Sequence, residues 1–152
     1  KDFYQAEKKL LETSLENISA LIHEIAINKL EPKEQDHKAA TFAEKINYSD
    51  ALIDWNCSAS EIKNNYLALK KWPILTFNFN GERVQIHDLE IEATEITKPG
   101  VVSSFTKNSL DVCCGDGVIK IKSVKFPGKK VISSIDFFNA KRDIISQGDL
   151  LI

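Results

Sequence analysis

The 152-residue sequence contains no methionine, three cysteines, four prolines, six glycines and almost no net charge. Each shortage excludes something. So few cysteines exclude a disulfide scaffold, and so little glycine and proline excludes collagen and low-complexity disorder. The cysteines, Cys57, Cys113 and Cys114, are odd in number, and the adjacent pair is badly placed to bridge itself. That pattern points to a reducing, cytosol-like compartment. Twenty basic against twenty-two acidic residues leave a charge of −2, so the global balance names no partner. No apolar run approaches the roughly 20 residues that cross a bilayer, and no charged-then-apolar leader opens the chain. No membrane partner is therefore expected. A chain that starts at Lys1 without any methionine is expected to be a processed product or a piece of something longer. What remains is ordinary globular composition, 43% hydrophobic, 28% charged and 9% aromatic. A chain of this size can bury about 70% of its unfolded surface in one core.

From about Asp2 to Asn28 the apolar residues recur at helical steps. Phe3, Leu10, Leu11, Leu15, Ile18, Ile22 and Ile25 form one stripe, and Glu7, Lys8, Glu12, Glu16 and Glu24 lie mainly opposite. So apolar a stripe is expected to pack on another domain or on further chain. Between Glu31 and Asp54 the period fails. Glu31-Pro32-Lys33-Glu34-Gln35-Asp36-His37-Lys38 is polar and holds a helix breaker, which predicts an extended connection between two bodies. Ser58-Ala59-Ser60-Glu61 has the reciprocal capping arrangement of a helix start. Ile62, Tyr66 and Leu69 follow on one face, and Trp72-Pro73 ends the element.

Beyond Pro73 the period drops to two. Leu75, Phe77 and Phe79 alternate with Thr76 and Asn78, Asn80-Gly81 signals a two-residue hairpin, and Val84 and Ile86 return. Further alternations run at Leu89-Ile91-Ala93, Val101 to Phe105, Leu110-Val112-Cys114 and Ile119-Ile121. Pro99-Gly100, Asn108, Gly115-Asp116-Gly117 and Pro127-Gly128 punctuate them. Glycine is expected to supply positive φ in the Gly115–Gly117 turn. Ser133 with Asp136 caps a last short helix through Ala140. The expected fold class is α+β, mostly β. It is a small antiparallel β-barrel with short flanking helices, preceded by a linker and an N-terminal amphipathic helix.

The chemistry available is narrow. His23, His37 and His87 lie far apart and away from the cysteines, so no metal ligands are assigned. No lysine or helix start follows Gly115-Asp116-Gly117 at phosphate-loop spacing, and Glu90 with Glu92 reads as a solvated strand face. Charge distribution says more. Within residues 118–142 stand seven basic residues against Asp136 alone: Lys120, Lys122, Lys125, Lys129, Lys130, Lys141 and Arg142. Lys120 and Lys122 share a strand face, and Gly128-Lys129-Lys130 sits in a loop. Lysines gathered on one side of a small barrel bind phosphate backbone by releasing condensed counterions. The alternative account is a lysine-rich solvated face.

Several runs, in order, resemble the C-terminal part of the methionyl-tRNA formyltransferase family. They are Ala40-Thr41-Phe42-Ala43-Glu44-Lys45-Ile46, Ile53-Asp54-Trp55, Trp72-Pro73 and Cys114-Gly115-Asp116-Gly117. The ending is the most specific: Gly128-Lys129-Lys130, Ser133, Asp136-Phe137-Phe138-Asn139 and Gly148-Asp149-Leu150. The resemblance implies that residues 1–30 hold the last helix of a formyltransferase catalytic domain whose remainder is missing. Residues 31–54 would be the inter-domain linker, and residues 55–152 an OB-like barrel that binds tRNA. It implies a parent enzyme that moves a formyl group from 10-formyltetrahydrofolate to the amino group of methionyl-initiator tRNA. The family's catalytic asparagine, the histidine of its His-x-Ser-Leu-Leu-Pro motif and a following aspartate lie upstream, and this chain holds no Ser-Leu-Leu-Pro. No catalytic residue and no cofactor is therefore assigned to this chain, which is expected to be inactive alone. Lys45 falls where the family's connection carries a lysine. Lys70-Lys71 replace the family's Asn-Pro before Trp72-Pro73 and add positive charge.

The nucleic-acid-binding set expected on these grounds is Lys45, Lys70, Lys71, Lys120, Lys122, Lys125, Lys129, Lys130, Lys141 and Arg142. The expected partners are initiator methionyl-tRNA and the missing catalytic domain, for a monomer in the bacterial cytoplasm or an organelle matrix. One competing reading is the packing or oligomerisation module of a formyltransferase acting on a sugar nucleotide or another amine. Another is a free-standing OB-like binder that exposes Phe77 and Phe79 for base stacking, although their alternating pattern assigns both to the core.

Overall fold

The structure is a computed structural model that describes residues 1–27, 29–94 and 98–151. It divides into two units, residues 1–46 and 47–152.

The first unit is built on helix α1 (Phe3–Ala26). Asp2 caps it, accepting the Gln5 N–H at 3.0 Å while the Gln5 side chain accepts the Asp2 N–H. That carboxylate also suits the positive end of the helix dipole. The sequence expectation carries this helix to Asn28, which lies outside the described residues. None of its residues is buried within the unit. Among the described residues from 29 to 46, one 3-10 turn forms, at His37–Ala39, capped by Asp36.

The second unit begins at Asn47, earlier than the barrel boundary expected at Trp55. The reason is packing. Ala51 and Ile53 are buried, the Ile53 N–H donates to the Thr76 carbonyl at 2.8 Å, and Thr76 Oγ1 donates to the Ala51 carbonyl at 3.1 Å. Helix α2 (Ala59–Ala68) follows, with Ser58 and Glu61 satisfying each other's backbone amides as the sequence predicts. Its Ile62 and Tyr66 are buried.

Among the described residues, six strands make one antiparallel sheet: β1 (Thr76–Phe79), β2 (Glu82–Glu92), β3 (Val102–Phe105), β4 (Leu110–Cys113), β5 (Val118–Lys125) and β6 (Val131–Ser133). Helix α3 (Ser134–Lys141) ends the series, capped by Ser133. The order is β1-β2-β5-β4-β3, with β6 added to β5. Asn80 and Gly81 both take positive φ in the β1–β2 hairpin, the conformation an Asn-Gly pair supplies. A bulge at His87–Asp88 bends β2, so that Ile86 and Leu89 both point inward. The sheet thus curls into a half-barrel. Its open side is lined by two peptide segments. Leu52 bridges to Thr76 beside β1, and Leu150 bridges to Val101 beside β3.

Phe77 is completely buried and Phe79 is 7% exposed, so the two aromatics of β1 are core and offer no stacking platform. The Gly115–Gly117 turn departs from expectation. Neither glycine has positive φ. Each is there for close approach: a side chain on Gly115 would collide with the Asn56 carbonyl, and one on Gly117 would meet the Glu92 carbonyl at 2.8 Å. Between them Asp116 accepts the Ala59 N–H at 2.7 Å, tying the turn to the start of α2.

Candidate nucleic-acid interface

The curled sheet splits the basic run of residues 118–142 into two unlike regions. Along the outer face of β5, Lys120 and Lys122 stand opposite the acidic end of β2, since the register pairs Glu90 with Lys120. Lys120 is ion-paired with Glu92, and Lys122 lies 3.3 Å from Glu90. The Glu92 hydrogen bond is the main cause that holds the Lys120 ammonium above its ordinary range. Asp111 faces Lys120 from β4. Three carboxylates therefore meet two ammonium groups on this face. The one-sided basic strand expected from the sequence is a ladder of paired opposite charges, because the pairing of β2 with β5 brings Glu90 and Glu92 alongside.

The other region lies at the β1–β2 hairpin, the β5–β6 turn and the end of α3. Its support is aromatic. Phe126 packs edge-on against Phe79 and Phe137, with centroids 6.5 and 5.7 Å away, and Phe137 in turn meets Phe105. Lys141 crosses this row with its ammonium 5.2 Å from the Phe126 centroid and 5.9 Å from Phe79. Lys129 and Lys141 line a cavity of about 230 Å³ floored by Phe126 and Ile132, with Glu82 on its rim. The turn that presents Lys129 closes through its N–H to the Phe126 carbonyl at 3.0 Å, and Lys129 and Lys130 are both exposed. Arg142 is exposed just past α3.

Lys125 stands at the end of β5, opposite Gln85 of β2. With Arg83 it lines a second cavity of about 140 Å³. Arg83 is held in place there. Its guanidinium lies 5.0 Å from the Tyr48 ring centroid, and Nη1 donates to the Tyr48 carbonyl at 2.9 Å. Among the described residues, no carboxylate lies within ion-pair distance of Arg83, Lys125, Lys129, Lys130, Lys141 or Arg142. Arg83 is the residue that sequence reasoning misses. It sits far from the basic run in the chain, and only the pairing of β2 with β5 brings it beside Lys125.

Lys70 and Lys71 follow the end of α2. Lys70 is half-buried, its ammonium 4.7 Å from the Tyr66 centroid, and Lys71 is exposed beside Trp72. Lys63, on α2, approaches the same Tyr66 ring at 5.1 Å and donates to the Leu89 carbonyl. Lys45 is exposed and belongs to the first unit.

Acid–base and nucleophilic chemistry find little footing. Burial pushes the Cys57 and Cys114 thiols up, the opposite of an activated thiolate. Burial first, and then the charge of Lys125, pushes His87 down. Among the described residues no three of His, Cys, Asp and Glu gather as metal ligands, and no helix is long and apolar enough to cross a membrane.

The family model described as "Formyl transferase, C-terminal domain" matches residues 45–142. A methionyl-tRNA formyltransferase of Pseudomonas entomophila is 33% identical over 127 residues, covering 84% of this chain and 41% of that protein. The chain thus spans about two fifths of the length of that relative. Among solved structures, a HypX variant from Aquifex aeolicus superposes with a TM-score of 0.64 at 14% identity, over 95% of this chain and 28% of that one. HypX from the same organism in complex with tetrahydrofolic acid gives 0.60 at 14% identity, over 90% and 26%. At that identity the likeness is one of fold. The matched domain, the ordered motifs and the half-barrel together make this chain a member of the formyl transferase family, in its C-terminal part.

Proposed function

We propose that this chain is the RNA-gripping portion of a methionyl-tRNA formyltransferase. In this reading a catalytic domain elsewhere in the parent protein carries the formyl donor, 10-formyltetrahydrofolate, and performs the transfer to the methionyl amino group of initiator tRNA. The barrel supplies affinity and orientation. One observation carries the reading: among the described residues, six cations at one end of the barrel have no carboxylate within ion-pair distance, while the lysines of the strand face are ion-paired. Cations already paired release few counterions on meeting RNA. Unpaired ones release many. The relation to the methionyl-tRNA formyltransferase of Pseudomonas entomophila supports RNA as the polyanion and the bacterial cytoplasm as the setting.

The test is binding of an initiator tRNA transcript to the full chain, read by fluorescence anisotropy across a salt series. Neutralising about six phosphates gives a log–log slope on the order of −4 to −5. Replacing Lys129 and Lys130 together by Glu should abolish binding with the fold intact. A slope near zero defeats the proposal and favours a packing module for a small-amine formyltransferase.

A further inference from the structure

The cavity between Tyr48, Arg83 and Lys125 differs from the open lysine surface around it, because Arg83 is held in position by Tyr48. Arg83 has Nη1 committed to the Tyr48 carbonyl and its Cζ 5.0 Å from the Tyr48 ring centroid, which leaves the other N–H groups of the guanidinium fork for a ligand. Lys125 approaches from β5 and has no carboxylate in ion-pair distance among the described residues. Gln85, between them on the outer face of β2, uses its Oε1 on His87 Nε2 at 3.2 Å. Gln85 itself lines the cavity. Gly128 closes the rim with positive φ and open space where a Cβ would stand, so backbone can approach a ligand there. The volume, about 140 Å³, suits one small tetrahedral group and no nucleobase beside it.

We infer that this cavity is a seat for a single phosphate group, gripped by the Arg83 fork and the Lys125 ammonium with Gln85 as a neutral donor. The inference rests on the RNA reading for its natural ligand, a backbone phosphate of the polynucleotide. It goes further in assigning one phosphate to a formed pocket and in bringing in Arg83, Gln85 and Tyr48. A planar fork recognises phosphate through paired hydrogen bonds, whereas an ammonium acts as a point charge. Arg83→Lys therefore separates a seat from a diffuse field, since it keeps the charge and removes the fork.

Two probes test this on the full chain. The first is inorganic phosphate at constant ionic strength, read by nuclear magnetic resonance at the Gln85 side-chain amide and the Gly128 backbone amide. The expected result is a saturable shift confined to these signals, lost in Arg83→Lys and in Lys125→Gln. The second is the initiator tRNA transcript. Arg83→Lys should bind it about tenfold more weakly with the salt slope unchanged, because the count of neutralised phosphates is set by charge. Lys130→Arg, on the open loop, should bind as the parent does. Lys125→Gln keeps the Tyr48 contact intact and guards against a loss caused by misfolding. Shifts that never saturate, or RNA bound at full strength by Arg83→Lys, overturn the seat and leave the RNA reading standing. Saturable phosphate in a chain that binds no RNA supports the seat and overturns the RNA reading.

Discussion

Lys141 holds its ammonium group 5.2 Å from the centroid of the Phe126 ring. The contact fixes a flexible side chain over the aromatic row while its charge stays available at the surface. Lys141→Gln should lower the salt slope of RNA binding by about 1 and weaken binding for every sequence alike. It should also cost about 0.5–1 kcal/mol of stability, the scale of one cation–π contact. Urea unfolding and a salt series of anisotropy titrations measure the two effects. Equal slopes for mutant and parent would remove Lys141 from the interface.

The Glu90–Lys122 and Glu92–Lys120 pairs predict an asymmetric result. Replacing both lysines by Gln should leave RNA affinity within about twofold, since paired ammonium groups have few counterions to give up. Replacing both glutamates by Gln frees Lys122, while Asp111 still faces Lys120, and should steepen the slope by about 1. If the double lysine variant instead lost binding, the strand face would belong to the interface.

Asp116 reaches across 57 residues of chain to accept the Ala59 N–H. Asp116→Ala should cost about 1 kcal/mol, as for the loss of a helix cap. Urea unfolding should show a lower midpoint with an unchanged slope.

His87 makes stability depend on pH. Its imidazole is held below its ordinary value of 6.5, first by burial and then by Lys125. The unfolded chain therefore binds this proton more readily than the folded one, so stability rises with pH below about 6.5 and falls on acidification. Urea midpoints at pH 5 and pH 7 should lie farther apart in the parent than in His87→Gln. Equal separations would show that His87 does not carry the dependence.

Much of the barrel is legible in the sequence because it rests on local rules. The Asn80-Gly81 turn, the Ser58–Glu61 cap and the buried alternation of Phe77 and Phe79 depend only on near neighbours. Phe77→Ala should accordingly cost about 3–5 kcal/mol, visible as a large loss in thermal midpoint. What the sequence hides is which strand meets which. Glu90 and Glu92 read as solvated, and Arg83 reads as unremarkable, until β2 lies against β5. The Gly115–Gly117 turn is misread for a related reason: its glycines answer to Asn56 and Glu92, distant in the chain, and not to a local φ. The segment before Trp55 looks like tether because its few apolar residues lack a period, yet Ala51 and Ile53 insert singly into the core.

The segment around Leu150 covers the flank of β3. The Val102 N–H donates to the Asp149 carbonyl and the Leu151 N–H to the Gly100 carbonyl, each at 2.8 Å. Stripping residues 148–151 would leave that row of backbone groups bare, a template on which another molecule's strand can add. Shortened versions of this protein should accordingly form domain-swapped dimers or precipitate, even though every residue of the cationic end is still present.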